Sequence, residues 1–111
     1  ADRVCLITDA LRPAGIGEEG MQYTDCPVPF IIEDGVAKLL DRSAFAGSIA
    51  TVDVLLKTAV KAGFSIADAV KMMTETPACV MGIKTKGRIA AGFDACFTVF
   101  DKNLDTVNMR I

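Results

Sequence analysis

The chain has 111 residues, 51% of them hydrophobic, which suffices for a modest core and falls short of a complete enzyme barrel. Its net charge of −2, with lysines and arginines scattered along the chain, leaves no basic stripe and sets nucleic acid aside as a partner. Histidine is absent, which excludes a Ser-His-Asp or Cys-His site and any imidazole metal site within these residues.

Cys5, Cys26, Cys79 and Cys96 lie far apart and form no C-x-x-C pair, so buried free thiols of a reducing cytosol are expected. No stretch approaches the ~20 apolar residues that span a bilayer, and no charged leader precedes an apolar segment. A cytoplasmic chain with no membrane partner is the expectation. An apolar run begins directly after Ala1, Asp2 and Arg3, and the chain stops at Ile111 within an alternating segment, so both ends read as cut from something longer.

In chain order, Val4-Cys5-Leu6-Ile7 is a continuous apolar run that predicts a parallel strand covered on both faces. Thr8-Asp9-Ala10 ends it, and residues 10 to 26 read as a glycine-containing loop. Val28 to Ile32 and Val36 to Leu40 flank Asp34-Gly35, a dipeptide suited to positive φ at both turn positions, and predict a hairpin. Pro27 and Pro29 assign its first arm to a sheet edge. From Ser48 the period becomes helical: Ile49, Val52, Leu55, Leu56, Ala59 and Val60 share one face, with Ser48 as N-cap and Gly63 just past the end. A second helix starts at Ser65, with Asp68 as capping partner, and buries Ile66, Ala69, Val70 and Met73. Thr76-Pro77 predicts a third short helix as N-cap and first position, closed by Gly82. Met72, Met73 and Met81 read as core filler. Ala95 to Phe100 returns to strand, followed by a polar turn around Lys102-Asn103 and a tail in which Val107, Met109 and Ile111 share a face.

This order, a buried strand, an excursion and then amphipathic helices, describes the last β/α unit of a larger parallel barrel or sheet; the terminal pair belongs to a small β domain. The fold class is α/β. Asp9 stands where the strand gives way to a loop, the face that carries catalytic groups in barrel enzymes. An aspartate that merely caps the turn is the alternative.

Leu6-Ile7-Thr8-Asp9-Ala10, Pro13-Ala14-Gly15, Asp34-Gly35-Val36-Ala37 and Ala46-Gly47-Ser48 together resemble the C-terminal third of the N-acetylglucosamine-6-phosphate deacetylases of the amidohydrolase superfamily. The resemblance continues, collinear, through Thr74-Glu75-Thr76-Pro77-Ala78, Gly82-Ile83 and Lys86-Gly87-Arg88-Ile89-Ala90-Ala91-Gly92. The last of these segments marks only the superfamily, whereas Thr-Asp-Ala with Pro-Ala-Gly and the distant Ala-Gly-Ser points to the deacetylases. Ala95-Cys96 departs from the Ala-Asp common in superfamily tails.

The resemblance implies the C-terminal part of a (β/α)8 barrel, namely its last strand, a hairpin insertion and C-terminal helices over residues 1–83, with strands of a small β-sandwich domain over 84–111. It implies hydrolysis of N-acetylglucosamine 6-phosphate to glucosamine 6-phosphate and acetate in a homodimeric parent, with Asp9 as general base and then acid. Phe45, Ala46 and Gly47 carry over as substrate contacts; Gly47 has no Cβ to hinder a ligand, and a plain glycine before an N-cap is the alternative. The implied cofactor is a divalent metal, zinc foremost, whose glutamate and histidine ligands lie outside this chain, leaving no metal ligand within it and the chain alone inactive. Arg12 reads as a solvated loop arginine rather than a phosphate ligand. Another amidohydrolase, a deaminase or cyclic amidase, is the alternative enzyme, and a non-catalytic binding domain the alternative outside enzymes.

Overall fold

The computed structural model describes residues 1–107. It is an α/β structure of six short strands and three helices over these residues. Contacts gather into two compact units, one of Thr8–Val52 and the other of Ala1–Ile7 with the described residues from Asp53 onward.

The first unit is built on an antiparallel four-stranded sheet in the order β1 (Gln22–Tyr23), β2 (Phe30–Glu33), β3 (Val36–Leu39) and β4 (Phe45–Gly47). The turn between β2 and β3 is the predicted one: Asp34 and Gly35 adopt φ of 57° and 71°, the paired left-handed geometry that matches the twist of the flanking strands. Glu19 supports this turn from the preceding loop, its carboxylate accepting from the N–H groups of Asp34 at 2.7 Å and Gly35 at 3.3 Å. Phe30, Ile31, Ile32 and Ala37 are buried along the hairpin, with Pro13 packed in from the loop. Each large side chain here contributes on the order of 1.5–3 kcal/mol by leaving water. The Tyr23 ring stacks on Phe30 at 4.9 Å.

Two expectations change in this unit. β2 is an interior strand, flanked by β1 and β3, and not an edge. Pro29 immediately precedes it, so neither proline removes a donor from the ladder. β1 falls in the segment read as loop and β4 in one given no element, because strands of two or three residues are too short to show alternation.

The second unit packs α1 (Val52–Lys61), α2 (Ile66–Met73) and α3 (Glu75–Val80) with the pair β5 (Val99–Phe100) and β6 (Thr106–Val107). Leu56, Ala59 and Ala69 form its core, joined by Leu6, Val60, Met73, Phe100 and Leu104. Gly63, at φ 100°, closes α1 as predicted: its N–H reaches Val60 and that of Phe64 reaches Ala59, satisfying carbonyls of the last turn. Gly82 closes α3 by the same pattern. Ser65 caps α2, accepting from the Asp68 N–H at 3.1 Å and donating to the Asp68 carboxylate at 2.8 Å. Ser65→Ala is therefore expected to cost about 0.5–2 kcal/mol, measured by chemical denaturation, whereas Ser65→Asp should keep most of the cap.

The helix starts differ from expectation. α1 begins at Val52, not after Ser48, because the backbone of Ser48 is engaged elsewhere in the chain. α3 begins at Glu75, so Thr76 lies inside its first turn and not at the N-cap. Thr76 is buried, and its hydroxyl donates to the Ala1 carbonyl at 3.2 Å. Pro77 then occupies the first turn, where no helical partner is lost. On α2, Ala69 and Met72 are buried while Ile66 and Val70 are exposed.

Residues 4–7 belong to no strand among the described residues: Leu6 donates to the Met72 carbonyl at 2.9 Å, while Val4 and Ile7 are exposed. Val99–Phe100 is all that forms of the strand expected over 95–100, and Met109 and Ile111 lie outside the described residues. The thiols are free, but Cys5, Cys79 and Cys96 are exposed and Cys26 half-buried, against the expectation of burial. Cys79 shares the outer side of α3 with exposed Val80, and Cys96 lies 3.4 Å from the Lys86 ammonium, so an apolar neighbourhood in sequence did not translate into a covered one. Met72 is core as expected, whereas Met81 is 74% exposed. No helix of the described residues is long and apolar enough to cross a membrane.

Candidate functional site

The site lies within the unit of Thr8–Val52 and begins at Asp9. Its φ is 49°, a left-handed conformation that few non-glycine residues adopt and that aspartate tolerates because its side chain is short and polar. The residue is exposed. Backbone contacts hold it: the Asp9 carbonyl accepts from the Ser48 N–H at 3.0 Å, and the Leu11 N–H donates to the Ser48 carbonyl at 2.8 Å. Ala10 and Ser48 thus form an isolated parallel bridge. The Ser48 hydroxyl accepts from the Ala50 N–H at 2.9 Å, which fixes the chain as it leaves the bridge.

Phe45, Ala46 and Gly47 make up β4. Phe45 pairs with Lys38 and Gly47 with Ala37, so one residue, Ala46, has no partner across the ladder. This is a bulge, a device that turns side chains locally and recurs beside active sites. Phe45 is 72% exposed, and Ala46 and Gly47 are half-buried. Gly47 has φ 121°, and a Cβ built there would lie 3.0 Å from Leu11 Cγ and 3.4 Å from the Asp9 carbonyl oxygen. The close approach at Gly47 is thus made by the chain itself. Gly47 and Asp9 are brought together, and Phe45 and Ala46 reach the same neighbourhood through β4.

Arg12 is exposed and commits its guanidinium to Asp25, with contacts of 2.9 and 3.0 Å, while lying 6.0 Å over the Tyr23 ring. Hydrogen bonding from Arg12, followed by its charge, holds the Asp25 carboxyl below its usual range. Its charge is met within the chain, in keeping with a solvated loop arginine. Leu11 and Ser48 were not foreseen as parts of the site; Ser48 read as a helix cap at the end of the Ala46-Gly47-Ser48 segment, and nothing in the sequence singles out Leu11. Among the described residues no three His, Cys, Asp or Glu side chains gather in a group able to hold a metal ion. These residues do not fit a metal centre of their own.

Residues 8–110 match the amidohydrolase family. The chain belongs to that family. Among curated relatives of this amidohydrolase chain, the dihydroorotase of Methanothermobacter thermautotrophicus is 33% identical over 90% of the chain and 20% of the relative. The N-acetylglucosamine-6-phosphate deacetylase of Rattus norvegicus is 32% identical over 89% of the chain and 24% of the relative. Among solved structures, the deacetylase of the same name from Pasteurella multocida superposes with a TM-score of 0.84 at 23% identity, over 95% of this chain and 27% of that one. The Mycobacterium smegmatis enzyme, solved in complex with N-acetyl-D-glucosamine-6-phosphate, gives a TM-score of 0.80 at 30% identity over 95% and 28%. The amidohydrolase chain therefore spans about a quarter of the length of these relatives or less, and its α/β fold with an antiparallel sheet is the one found in that part of the deacetylase structures.

Proposed function

We propose that this chain supplies the proton-transferring carboxylate, Asp9, and part of the substrate face, Phe45 to Gly47, of an enzyme that hydrolyses N-acetylglucosamine 6-phosphate to glucosamine 6-phosphate and acetate. The observation that supports this most is the bridge that sets an exposed aspartate in a left-handed conformation directly beside β4. Hydrolysis of an acetamide needs a proton removed from the attacking water as the C–O bond forms, and a proton delivered to nitrogen as the C–N bond breaks. One carboxylate serves both, since the proton taken in the first half is the one given in the second. The open face of Phe45 offers an apolar surface to a sugar ring or its N-acetyl methyl group.

Amidohydrolases generally use a divalent metal; zinc is the ion proposed here, with its ligands outside this chain. The same reading makes residues 1–83 the last strand, hairpin insertion and helices of a (β/α)8 barrel and 84–111 strands of a small β domain. The parent is proposed to be a cytoplasmic homodimer, and the 111 residues alone inactive.

A cyclic amidase is the second reading, favoured by the 33% identity to a dihydroorotase. It would use the same carboxylate on a ring amide. The two separate in a substrate panel on the full-length protein: acetate release from N-acetylglucosamine 6-phosphate is expected with kcat/KM at least about tenfold above that for ring opening of dihydroorotate. Ring opening without acetate release would overturn the deacetylase reading and leave the family unchanged.

A further inference from the structure

Asp9 is held by its backbone alone. Among the described residues its carboxylate has no hydrogen-bond or ion-pair partner, so the direction of that carboxylate follows from the conformation of residues 8–11. That conformation is left-handed at Asp9, which an L-residue leaves unless its surroundings impose it. The restraint comes from Ser48, which bonds to the residues on both sides of Ala10. Ser48 follows the bulged strand, and its neighbour Gly47 faces the Leu11 side chain, whose Cγ and Cδ2 lie 3.0 and 3.2 Å from where a Cβ on residue 47 would stand. Leu11 is half-buried, so its isobutyl group fills a real gap between the loop and β4.

We infer that Leu11 is a positioning residue for Asp9. Seated against the bare backbone of Gly47, it keeps the loop and Ser48 at bonding distance, and through them fixes the direction in which the Asp9 carboxylate points. The inference rests on the proposed role of Asp9 in proton transfer. Leucine suits the task because its branched end spans the gap, and methionine has the length to do the same. Alanine would leave space into which the loop can shift, relaxing the left-handed turn while both hydrogen bonds lengthen.

The test is a double-mutant cycle in the full-length enzyme, with acetate release as the assay. Leu11→Ala should lower kcat by about 10- to 100-fold, the scale at which a displacement near 1 Å acts on a reacting group, with KM changed less than about twofold. Leu11→Met should recover most of the loss. In the Asp9→Asn background, where no proton-transferring carboxylate remains to be aimed, Leu11→Ala should reduce the residual rate by less than about twofold. Equal losses in the two backgrounds, or no loss in the first, would overturn the inference and leave the role of Asp9 standing. Should Asp9→Asn itself stay active, the proton-transfer reading falls and the inference falls with it. Should its residual rate be too low to measure, the kcat loss of Leu11→Ala and its recovery by Leu11→Met, read against KM, decide the matter.

Discussion

Asp9→Asn in the full-length enzyme is expected to lower kcat by at least about 10²- to 10⁴-fold, the range of general acid–base catalysis. The loss should reach or exceed the upper end, because one carboxylate is asked to serve both halves of the reaction. Asparagine keeps the size and tolerates the left-handed backbone at φ 49°, so the bridge to Ser48 should survive. Folding should therefore change little, and KM less than kcat, since the proposed sugar contacts lie on β4. Steady-state kinetics with a thermal melt in parallel checks all of this. A variant that keeps more than about a tenth of wild-type turnover would return Asp9 to the role of a turn former, and one that loses its metal would make Asp9 chiefly a ligand.

Ile32→Ala should have the largest effect on folding. Ile32 is 1% exposed, its N–H donates to the Met21 carbonyl at 2.9 Å, and its carbonyl accepts from the Gly20 N–H at 2.8 Å. Its side chain thus sits where the loop before β1 closes over the hairpin. Truncation is expected to cost about 2–5 kcal/mol, on the order of 30-fold to a few thousand-fold in the folding equilibrium. Denaturant titration measures it, and a loss below about 1 kcal/mol would remove Ile32 from the core. The geometry offers a more selective version. A Cβ on Gly17 would meet Ile32 Cδ1 at 2.3 Å, so Gly17→Ala should be harmful alone and less so with Ile32→Val, which removes that methyl. Pro13 Cβ at 3.0 Å keeps the recovery partial.

What was legible in the sequence is what depends on neighbours along the chain. Asp34-Gly35 makes the turn it predicts, Ser65 caps α2 through Asp68, and Gly63 and Gly82 end their helices, each because a local backbone geometry demands that residue type. What was not legible depends on partners far along the chain. Ser48 has every local mark of a helix cap, yet Asp9 and Leu11 claim its backbone from nearly forty positions away, and α1 starts later. Thr76 similarly gives its hydroxyl to Ala1. Residues 4–7 have the composition of a buried strand, but a strand exists only where a ladder partner does. At the candidate site, Asp9 and the Phe45–Gly47 segment were visible as residues, while the bridge and bulge that place them together were not, since neither leaves a periodic trace.

The bulge at Ala46 has a consequence for how this surface can diversify. In a regular strand residues two apart share a face, whereas the extra residue sets Phe45 and Gly47 opposite adjacent residues of β3 and so on opposite faces. Deleting Ala46 would leave Phe45 opposite Lys38, and so on the same face, while removing the local twist with which the bulge aims its ring. The aim of Phe45 beside Asp9 is therefore set by the length of the segment between Ser43 and Ser48 as much as by the residue types within it.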